Sequence, residues 1–251
     1  MISRILLGTL ACCALSFGAA LAQGDAPGAL PGKRDYSPYP QQDFPNRVLF
    51  GDTHLHTTYS ADAGMIGNTL GPKEAYRFAR GEVVTSSTGI KARLKRPLDF
   101  LVIADHAENL GLAPLLATKD NTLLATEFGQ QLNQAVEAGD PAGAWKIWSQ
   151  SKASGNDPLA DQKEIYKTAW SRLTQAAEDY NEPGRFTALI GCEWTSNPGR
   201  TNLHRNVIFR GGKETADTIM PVSHVDAGDP AEVWAGRAAG DRHAGERRGA
   251  G

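Results

Sequence analysis

The sequence predicts an α/β fold, in which apolar strands alternate with helices, and three observations carry this prediction. Residues 98–104 (LDFLVIA) form a nearly continuous apolar run, which is typical of a strand covered on both faces in a parallel sheet. Residues 186–192 form a second apolar strand. The block between them, 112–181, has the spacing of helices.

The remaining elements follow in chain order. Residues 47–50 predict the first strand. Gly71-Pro72 begins a helix over 73–80, because proline suits the first helical position. Residues 81–97 mix Val, Thr, Gly and Lys and predict a short hairpin, and residues 204–209 predict a fourth strand.

The block 112–181 is longer than a plain crossover between two strands, so we expect a helical insertion of three helices that covers one side of the site. Asp140-Pro141 and Asp157-Pro158 each have the form of an N-cap followed by proline. Apolar stripes at helical spacing support these helices: Leu124, Phe128, Leu132 and Val136, then Ile165, Ala169, Trp170, Leu173 and Ala177.

The two ends of the chain differ in composition from the domain predicted over 47–234. Residues 1–22 have a short basic start, an apolar stretch and a small-residue cleavage site, which is typical of a secretory signal peptide. Residues 23–46 read as a flexible leader. Residues 235–251 are almost entirely Gly, Ala and Arg and cannot bury apolar area. An out-of-frame reading of GC-rich DNA would yield such an aberrant tail.

Composition limits the compartment and the partners. A signal peptide predicts an exported protein, periplasmic or secreted, with no membrane association after cleavage. The formal net charge of −2 gives no general attraction to nucleic acid. Signal cleavage would leave Cys192 as the only cysteine, so we expect no internal disulfide. The sequence does not determine the oligomeric state.

The first candidate cluster follows the first strand, in Asp52-Thr53-His54-Leu55-His56. Residues i and i+2 of a strand share a face, so two imidazoles can hold one metal ion between them. Asp52 can orient an imidazole. Asp62, in the loop beyond, is a further candidate ligand and is equally consistent with a turn residue.

The next two clusters also follow apolar strands. Asp105 and His106 come directly after residues 98–104, at the position where α/β folds carry their chemistry. Glu193 comes after the strand 186–192, between Cys192 and Trp194, where a solvated charge is not expected. We interpret Cys192 as a core residue and Glu193 as a carboxylate that can bridge cations.

The fourth cluster starts with His204 and Arg205. A guanidinium beside a metal site suits an anionic substrate, although Arg205 is equally consistent with a surface residue. We take Asp105 and Arg205 as candidate catalytic groups, and treat His224 as a loop residue. Imidazole with carboxylate favours Zn²⁺, Mn²⁺ or Fe²⁺. The predicted metal ligands are His54, His56, Asp62, His106, Glu193 and His204.

These motifs, in this order, resemble the PHP (polymerase and histidinol phosphatase) superfamily, and in particular a bacterial, often exported PHP-like family of formerly unknown function. The matching segments are GDTHLHT at 51–57, ADHAE at 104–108, EWTS at 193–196 and LHRNVIF at 203–209. The resemblance extends from about Arg47 to Trp234.

The resemblance implies a distorted (β/α)7 relative of the TIM barrel, with two or three divalent transition metals (Zn, Mn or Fe) at the strand ends. It implies a phosphoesterase that acts on a small anionic phosphate ester through a metal-activated water. By position, it implies the same ligand set, with Asp62 less certain than the others.

One departure separates the chain from that superfamily, whose members take further ligands from later strands. After Trp234 the only Asp-x-His is Asp241-Arg242-His243, which lies in the Gly/Ala/Arg tail. The chain therefore looks like a C-terminally truncated member with a partial barrel, and without the later ligands it would bind metal weakly or be inactive. Two alternatives stay open: an amidohydrolase-type enzyme that cleaves amides or lactones, and a non-catalytic remnant.

Overall fold

A four-stranded sheet forms the centre of the molecule, as seen in a computed structural model that describes residues 47–196 and 202–233. The strands are β1 (Gly51–Leu55), β2 (Val84–Thr85), β3 (Lys91–Ala92), β4 (Phe100–Ile103), β5 (Thr187–Ser196) and β6 (Leu203–Ile208). The order in the sheet is β1-β4-β5-β6, and β2 and β3 form the predicted hairpin apart from it. The predicted signal peptide, leader and tail lie outside the described residues.

Helices fill the connections between the strands. They are α1 (Ala61–Met65), α2 (Pro72–Ala79), α3 (Leu112–Ala117), α4 (Asn121–Leu124), α5 (Glu127–Glu137), α6 (Pro141–Ala153), α7 (Lys163–Tyr180) and α8 (Lys213–Ala216). The protein is therefore a mixed α/β protein, as predicted. Within 47–196 and 202–233, none of the helices combines the length and apolar character that crossing a bilayer requires.

The strand pairing is parallel at one side of the sheet and antiparallel at the other. Strand β4 pairs in parallel with both β1 and β5, and β6 pairs antiparallel with β5. The carboxyl ends of β1, β4 and β5 thus meet at one edge. The start of β6 lies beside the end of β5 and joins them there, so the fourth strand contributes from its amino end.

The first strand begins later than predicted. Residues 47–50 precede β1, and the ladder with β4 starts at Gly51, which pairs with Phe100. The register with β4 shifts between Asp52 and Leu55. Irregularities of this kind re-aim side chains near functional sites, and this one spans His54.

The helical insertion has more helices than predicted. Five helices, α3 to α7, lie between residues 112 and 180. Asp140 caps α6 as expected, since its carboxylate accepts from the Gly143 N–H. The second predicted start was wrong: α7 begins at Lys163, because the Asp157 carboxylate instead accepts from the Leu159 N–H and the Tyr166 hydroxyl.

The main core lies between the sheet and helices α2 and α7. Leu101 and Ile103 of β4 meet Trp170 and Leu173 of α7, all of them essentially inaccessible to solvent. A second cluster lies inside the helical insertion and contains Leu112, Leu123, Leu132, Trp148 and Leu159. Helices therefore cover one face of the sheet. The polar side chains at the strand ends lie on the other face.

The sheet curls into a half-barrel. In a flat sheet, three strand spacings of about 4.8 Å each, about 14 Å in total, would separate β1 from β6. Nevertheless the Asn206 Nδ2 group of β6 donates to the Thr53 carbonyl of β1 at 2.7 Å. A side chain as short as asparagine reaches that carbonyl only because the two edge strands bend toward each other.

We expect Leu173→Ala to lower the free energy of unfolding by about 2–5 kcal/mol, because it removes a fully buried side chain from the main core. Urea unfolding followed by circular dichroism measures the change. Leu49→Ala is the matched control, since Leu49 is 41% exposed; its cost should stay below about 1 kcal/mol. Equal costs for the two variants would contradict this assignment of the core.

Candidate metal centre

Glu193 is the centre of a cluster of histidines. Its carboxylate is 1% exposed, and Oε2 lies 3.0 Å from Nε2 of His54 and 2.7 Å from Nε2 of His56. Oε1 lies 2.5 Å from Nδ1 of His204. The end of β1, the end of β5 and the start of β6 therefore converge on one buried carboxylate, as the sequence predicted.

His106 and Asp62 extend this cluster on the side of His56. The Asp62 carboxylate lies 3.1 Å from Nδ1 of His56 and 3.5 Å from Nε2 of His106. Asp62 belongs to the first turn of α1, where the Ser60 hydroxyl donates to it at 2.6 Å. Of the two interpretations of Asp62, the structure supports a position in the cluster.

The six side chains form three overlapping groups that could hold a metal ion. The groups are His54 with His56 and Glu193, then His56 with Asp62 and His106, then His106 with Glu193 and His204; within each, the ligand atoms lie within 4.8 Å of one another. Three residues, His56, His106 and Glu193, each belong to two groups. Ligands shared between two groups could hold two cations next to each other.

The residues fit divalent transition metals by two further observations. Two ligand atoms on one Zn²⁺ lie about 3 Å apart, given bonds of about 2.0–2.1 Å, and the closest atoms here are 2.5–3.1 Å apart. Among the described residues, buried Nε2 of His56 and buried Oε1 of Glu193 make no hydrogen bond of acceptable geometry. Buried polar atoms without a hydrogen bond are costly unless another partner, such as a cation, takes its place.

Hydroxyl groups orient the imidazoles. The Thr195 Oγ1 atom lies 3.0 Å from Nδ1 of His106 and 3.2 Å from Nδ1 of His204. Ser60 Oγ lies 3.2 Å from Nδ1 of His56 and accepts from the backbone N–H of His106 at 3.0 Å. These contacts set ring orientation, the part that outer residues play in metal sites.

Asp105 has both carboxylate oxygens engaged by Thr57. The Thr57 N–H donates at 2.5 Å and the Thr57 hydroxyl at 2.7 Å, and Asp105 is fully buried. Burial raises the pKa of this carboxyl to about 6 even though the two hydrogen bonds from Thr57 lower it. Asp105 thus holds the loop that follows β1, and its catalytic role stays a prediction.

Arg205 lies on the face of the sheet opposite the cluster. Side chains alternate along a strand, and directly paired residues of an antiparallel ladder share a face. His204 pairs with Thr195, whereas Arg205 pairs with Trp194 and donates to the neighbouring His204 carbonyl. The alternation that places His204 toward the metal centre therefore places Arg205 away from it, and the structure does not support its predicted role.

Cys192 packs in the main core on the helix-covered side, as interpreted from the sequence. Alternation along β5 places it opposite Glu193, so it is not a ligand of this cluster.

Sequence reasoning missed Glu108 and His224. Glu108 is 5% exposed, its Oε1 accepts from the His224 backbone N–H at 2.9 Å, and its Oε2 lies 3.6 Å from Nδ1 of His106. The polar run around His106 was a signal for Glu108, two residues further on. No sequence signal indicated His224, because its position depends on a contact with Glu108, 116 residues away in the chain.

The carboxylates and imidazoles shift one another's pKa. Burial lowers the pKa of His56, but the neighbouring carboxylates of Asp62 and Glu193 outweigh it and raise the pKa to about 10. The pKa of His106 also rises, to about 9, because Asp62 and Glu108 raise it by more than burial lowers it. Burial opposes ionisation of Glu193, yet its histidine partners lower its pKa to about 2. Without metal, the cluster is thus a network of ion pairs.

The curled α/β sheet and the histidine–carboxylate cluster define a class of protein with a candidate metal centre at the strand ends. Comparison with known families gives one match: residues 43–248 match the family described as protein of unknown function (DUF3604). The chain belongs to this family. No curated protein and no solved structure matches the chain.

We expect pH to act oppositely on the metal-free and metal-loaded protein. The pKa of His56 and of His106 is raised from 6.5, so their stabilisation is complete below pH 6.5 and is lost toward pH 9–10. The pKa of Glu193 is lowered from 4.5, so its stabilisation is lost as pH falls below 4.5. The metal-free network is therefore strongest between pH 4.5 and 6.5.

Metal binding requires neutral imidazoles, so the rise in Tm on adding Zn²⁺ should grow from about pH 5.5 to about pH 8. Thermal melts with Zn²⁺ and with a chelator at both pH values measure it. A rise in Tm that is equal at both values, or larger at the lower one, would contradict the ligand assignment.

We expect Thr195→Val to weaken metal binding about 10- to 100-fold, because it removes the hydroxyl beside His106 and His204 while keeping the shape of the side chain. Competition with a chromogenic chelator measures the affinity. Thr187→Val, at the exposed start of the same strand, is the control and should bind as the original protein does. A loss of the same size in both variants would argue against an orienting role.

Proposed function

We propose that the protein is a metal-dependent hydrolase and that its substrates are phosphate esters. The observation that carries this proposal is the sharing of ligands, in which Glu193, His56 and His106 each serve two neighbouring groups. Adjacent divalent cations are an arrangement that phosphatases and nucleases use to hydrolyse phosphate esters. The motifs that resemble the PHP superfamily support the same conclusion.

We propose two or three divalent transition cations, Zn²⁺, Mn²⁺ or Fe²⁺, held by the six residues of the cluster. When bound, they would supply Lewis-acid activation of water and would neutralise the charge of a phosphate group. The finer description of the fold, a partial distorted (β/α)7 barrel, belongs to the same proposal and is supported by the curl of the sheet and the parallel pairing of β1, β4 and β5.

The residues of the chain contribute position and charge. The Glu193 carboxylate, on β5, contacts His54, His56 and His204 and so holds the three imidazoles close together. Asp62 and the imidazoles can hold a proton between them, since Nδ1 of His56 lies 3.1 Å from both Asp62 oxygens. The main core behind the sheet excludes water from one side, so the ligand atoms face the concave side.

Export and a small anionic partner remain part of the proposal and come from the sequence. The signal-peptide pattern supports a periplasmic or secreted protein, and transition-metal centres of this kind suit a compact phosphate ester.

We expect Glu193→Gln to abolish metal-dependent hydrolysis of 4-nitrophenyl phosphate and bis(4-nitrophenyl) phosphate, with a loss of at least about 100-fold in kcat/KM. The substitution keeps the size of the side chain but removes the negative charge that three histidines share. The assay is run after removal of metal and reloading with Mn²⁺ or Zn²⁺, with the metal content measured by elemental analysis.

Glu127→Gln is the control, because Glu127 is exposed on α5, and it should keep full activity. Cleavage of 4-nitrophenyl acetate, anilides or lactones without cleavage of phosphate esters would favour the amidohydrolase-type alternative. A folded, metal-loaded protein that hydrolyses neither class would mean a non-catalytic protein and would overturn the proposal.

A further inference from the structure

We propose that a cavity beside the metal cluster binds a ligand with an apolar body and an anionic group. If the proposed function holds, this ligand is the leaving group of the phosphate ester. The cavity thus specifies the class of substrate, a phosphate ester whose leaving group carries its own negative charge.

The cavity lies between the helical insertion and the segment 220–226. Its volume is about 710 Å³, within the usual range of about 300–1,000 Å³ for small-molecule sites. Apolar groups of Leu110, Pro158, Tyr166 and Val222 make up part of its wall. Such a wall suits an aliphatic or aromatic body rather than a bare phosphate.

Glu108 connects this cavity to the metal centre. The residue is part of the cavity wall, and its Oε2 atom lies 3.6 Å from Nδ1 of His106. His224, on the opposite side of the same carboxylate, is also part of the wall. A molecule held in the cavity is therefore one side chain away from the ligand cluster.

Three of the acidic residues of the wall already accept hydrogen bonds from the protein. Asp157 accepts from the Tyr166 hydroxyl at 2.8 Å, and Asp226 accepts from the Ser223 hydroxyl at 2.8 Å. Glu108 accepts from His224 at 2.9 Å. At these oxygens, a ligand that donates hydrogen bonds would have to displace an existing contact. Oε2 of Glu108 makes no hydrogen bond among the described residues and lies 3.6 Å from Nδ1 of His106, on the side of the metal cluster.

The basic residues of the wall differ in this respect. Within the described ranges, Lys152 and Lys163 have no carboxylate within ion-pair distance, and both are part of the wall. The Lys152 ammonium lies 5.7 Å from the centroid of the Trp148 ring. By contrast, Lys167 pairs with Glu164. Two ammonium groups thus remain as partners for an anionic group of the ligand.

Binding of 1-naphthoate, compared with its neutral analogue 1-naphthalenemethanol, tests the proposal. Both probes have the same apolar body, so their difference reports the anionic group alone. Tryptophan fluorescence follows binding, since Trp148 lies next to Lys152. We expect naphthoate to bind about tenfold more tightly than the alcohol, the effect of one charge-assisted hydrogen bond.

Variants of the two lysines, on α6 and α7, locate the site. Lys152→Gln, and separately Lys163→Gln, should each reduce the preference for naphthoate at least about threefold. Lys146→Gln is the matched control, because Lys146 lies on α6 with Lys152 but is exposed and not part of the wall. Ser151→Trp should fill the cavity and abolish binding of both probes, with metal content unchanged.

The binding result and the phosphatase result are independent. Naphthoate binding that depends on Lys152 and Lys163 supports the cavity site, even if no phosphate ester is cleaved and the proposed function fails. Equal binding of acid and alcohol, or equal loss in Lys152→Gln and Lys146→Gln, overturns the cavity site and leaves the phosphoesterase proposal standing.

In an active enzyme, the leaving-group assignment has its own measurement. The ratio of kcat/KM for 4-carboxyphenyl phosphate to that for phenyl phosphate should fall at least about threefold in Lys152→Gln. Comparing ratios between variants cancels the intrinsic reactivity of the two esters. An unchanged ratio would overturn the assignment of the cavity to the leaving group.

Discussion

The buried carboxylate of Glu193 is the constraint on which the site depends. An ionised group that is 1% exposed is costly unless opposite charge surrounds it. His54 and His56, from the end of β1, and His204, from the start of β6, contact this carboxylate, and the cations that they would bind would supply the opposite charge. Every strand that carries a histidine of the cluster must therefore begin or end close to Glu193. The strand order, the register shift of β1 and the antiparallel pairing of β6 with β5 all meet that requirement.

The fold brings these strand ends close to Glu193 by combining parallel and antiparallel strand pairing. Parallel pairing of β1, β4 and β5 places three carboxyl ends at one edge, and the helices that make this possible cover one face of the sheet. Antiparallel pairing of β6 adds a ligand from the beginning of a strand, directly beside the end of β5. A purely parallel sheet would have needed another crossover helix to do the same.

Much of the site could be predicted from the sequence because its residues follow apolar strands. The polar groups at 52–56, 105–106 and 193 each come at or just after such a run, and parallel strands end together. His204 could be named as a ligand, but not the direction of its strand, because hydrophobic pattern is the same in both directions. His224 was missed because its contact with Glu108 spans 116 residues, which local pattern does not encode. The boundary of β1 was misplaced because hydrogen bonding to β4, and not apolar character, decides where the ladder begins.

The hydrogen bond from Asn206 to Thr53 links the two outermost strands through a side chain and not through a ladder. His54 sits on one of these strands and His204 on the other, so the gap between them is set by how far the sheet bends. A slightly flatter sheet would increase the distances between these ligand atoms, and a slightly more curled sheet would decrease them. The radius of the ion that fits best is therefore a mechanical property of the sheet as much as a chemical property of the ligands.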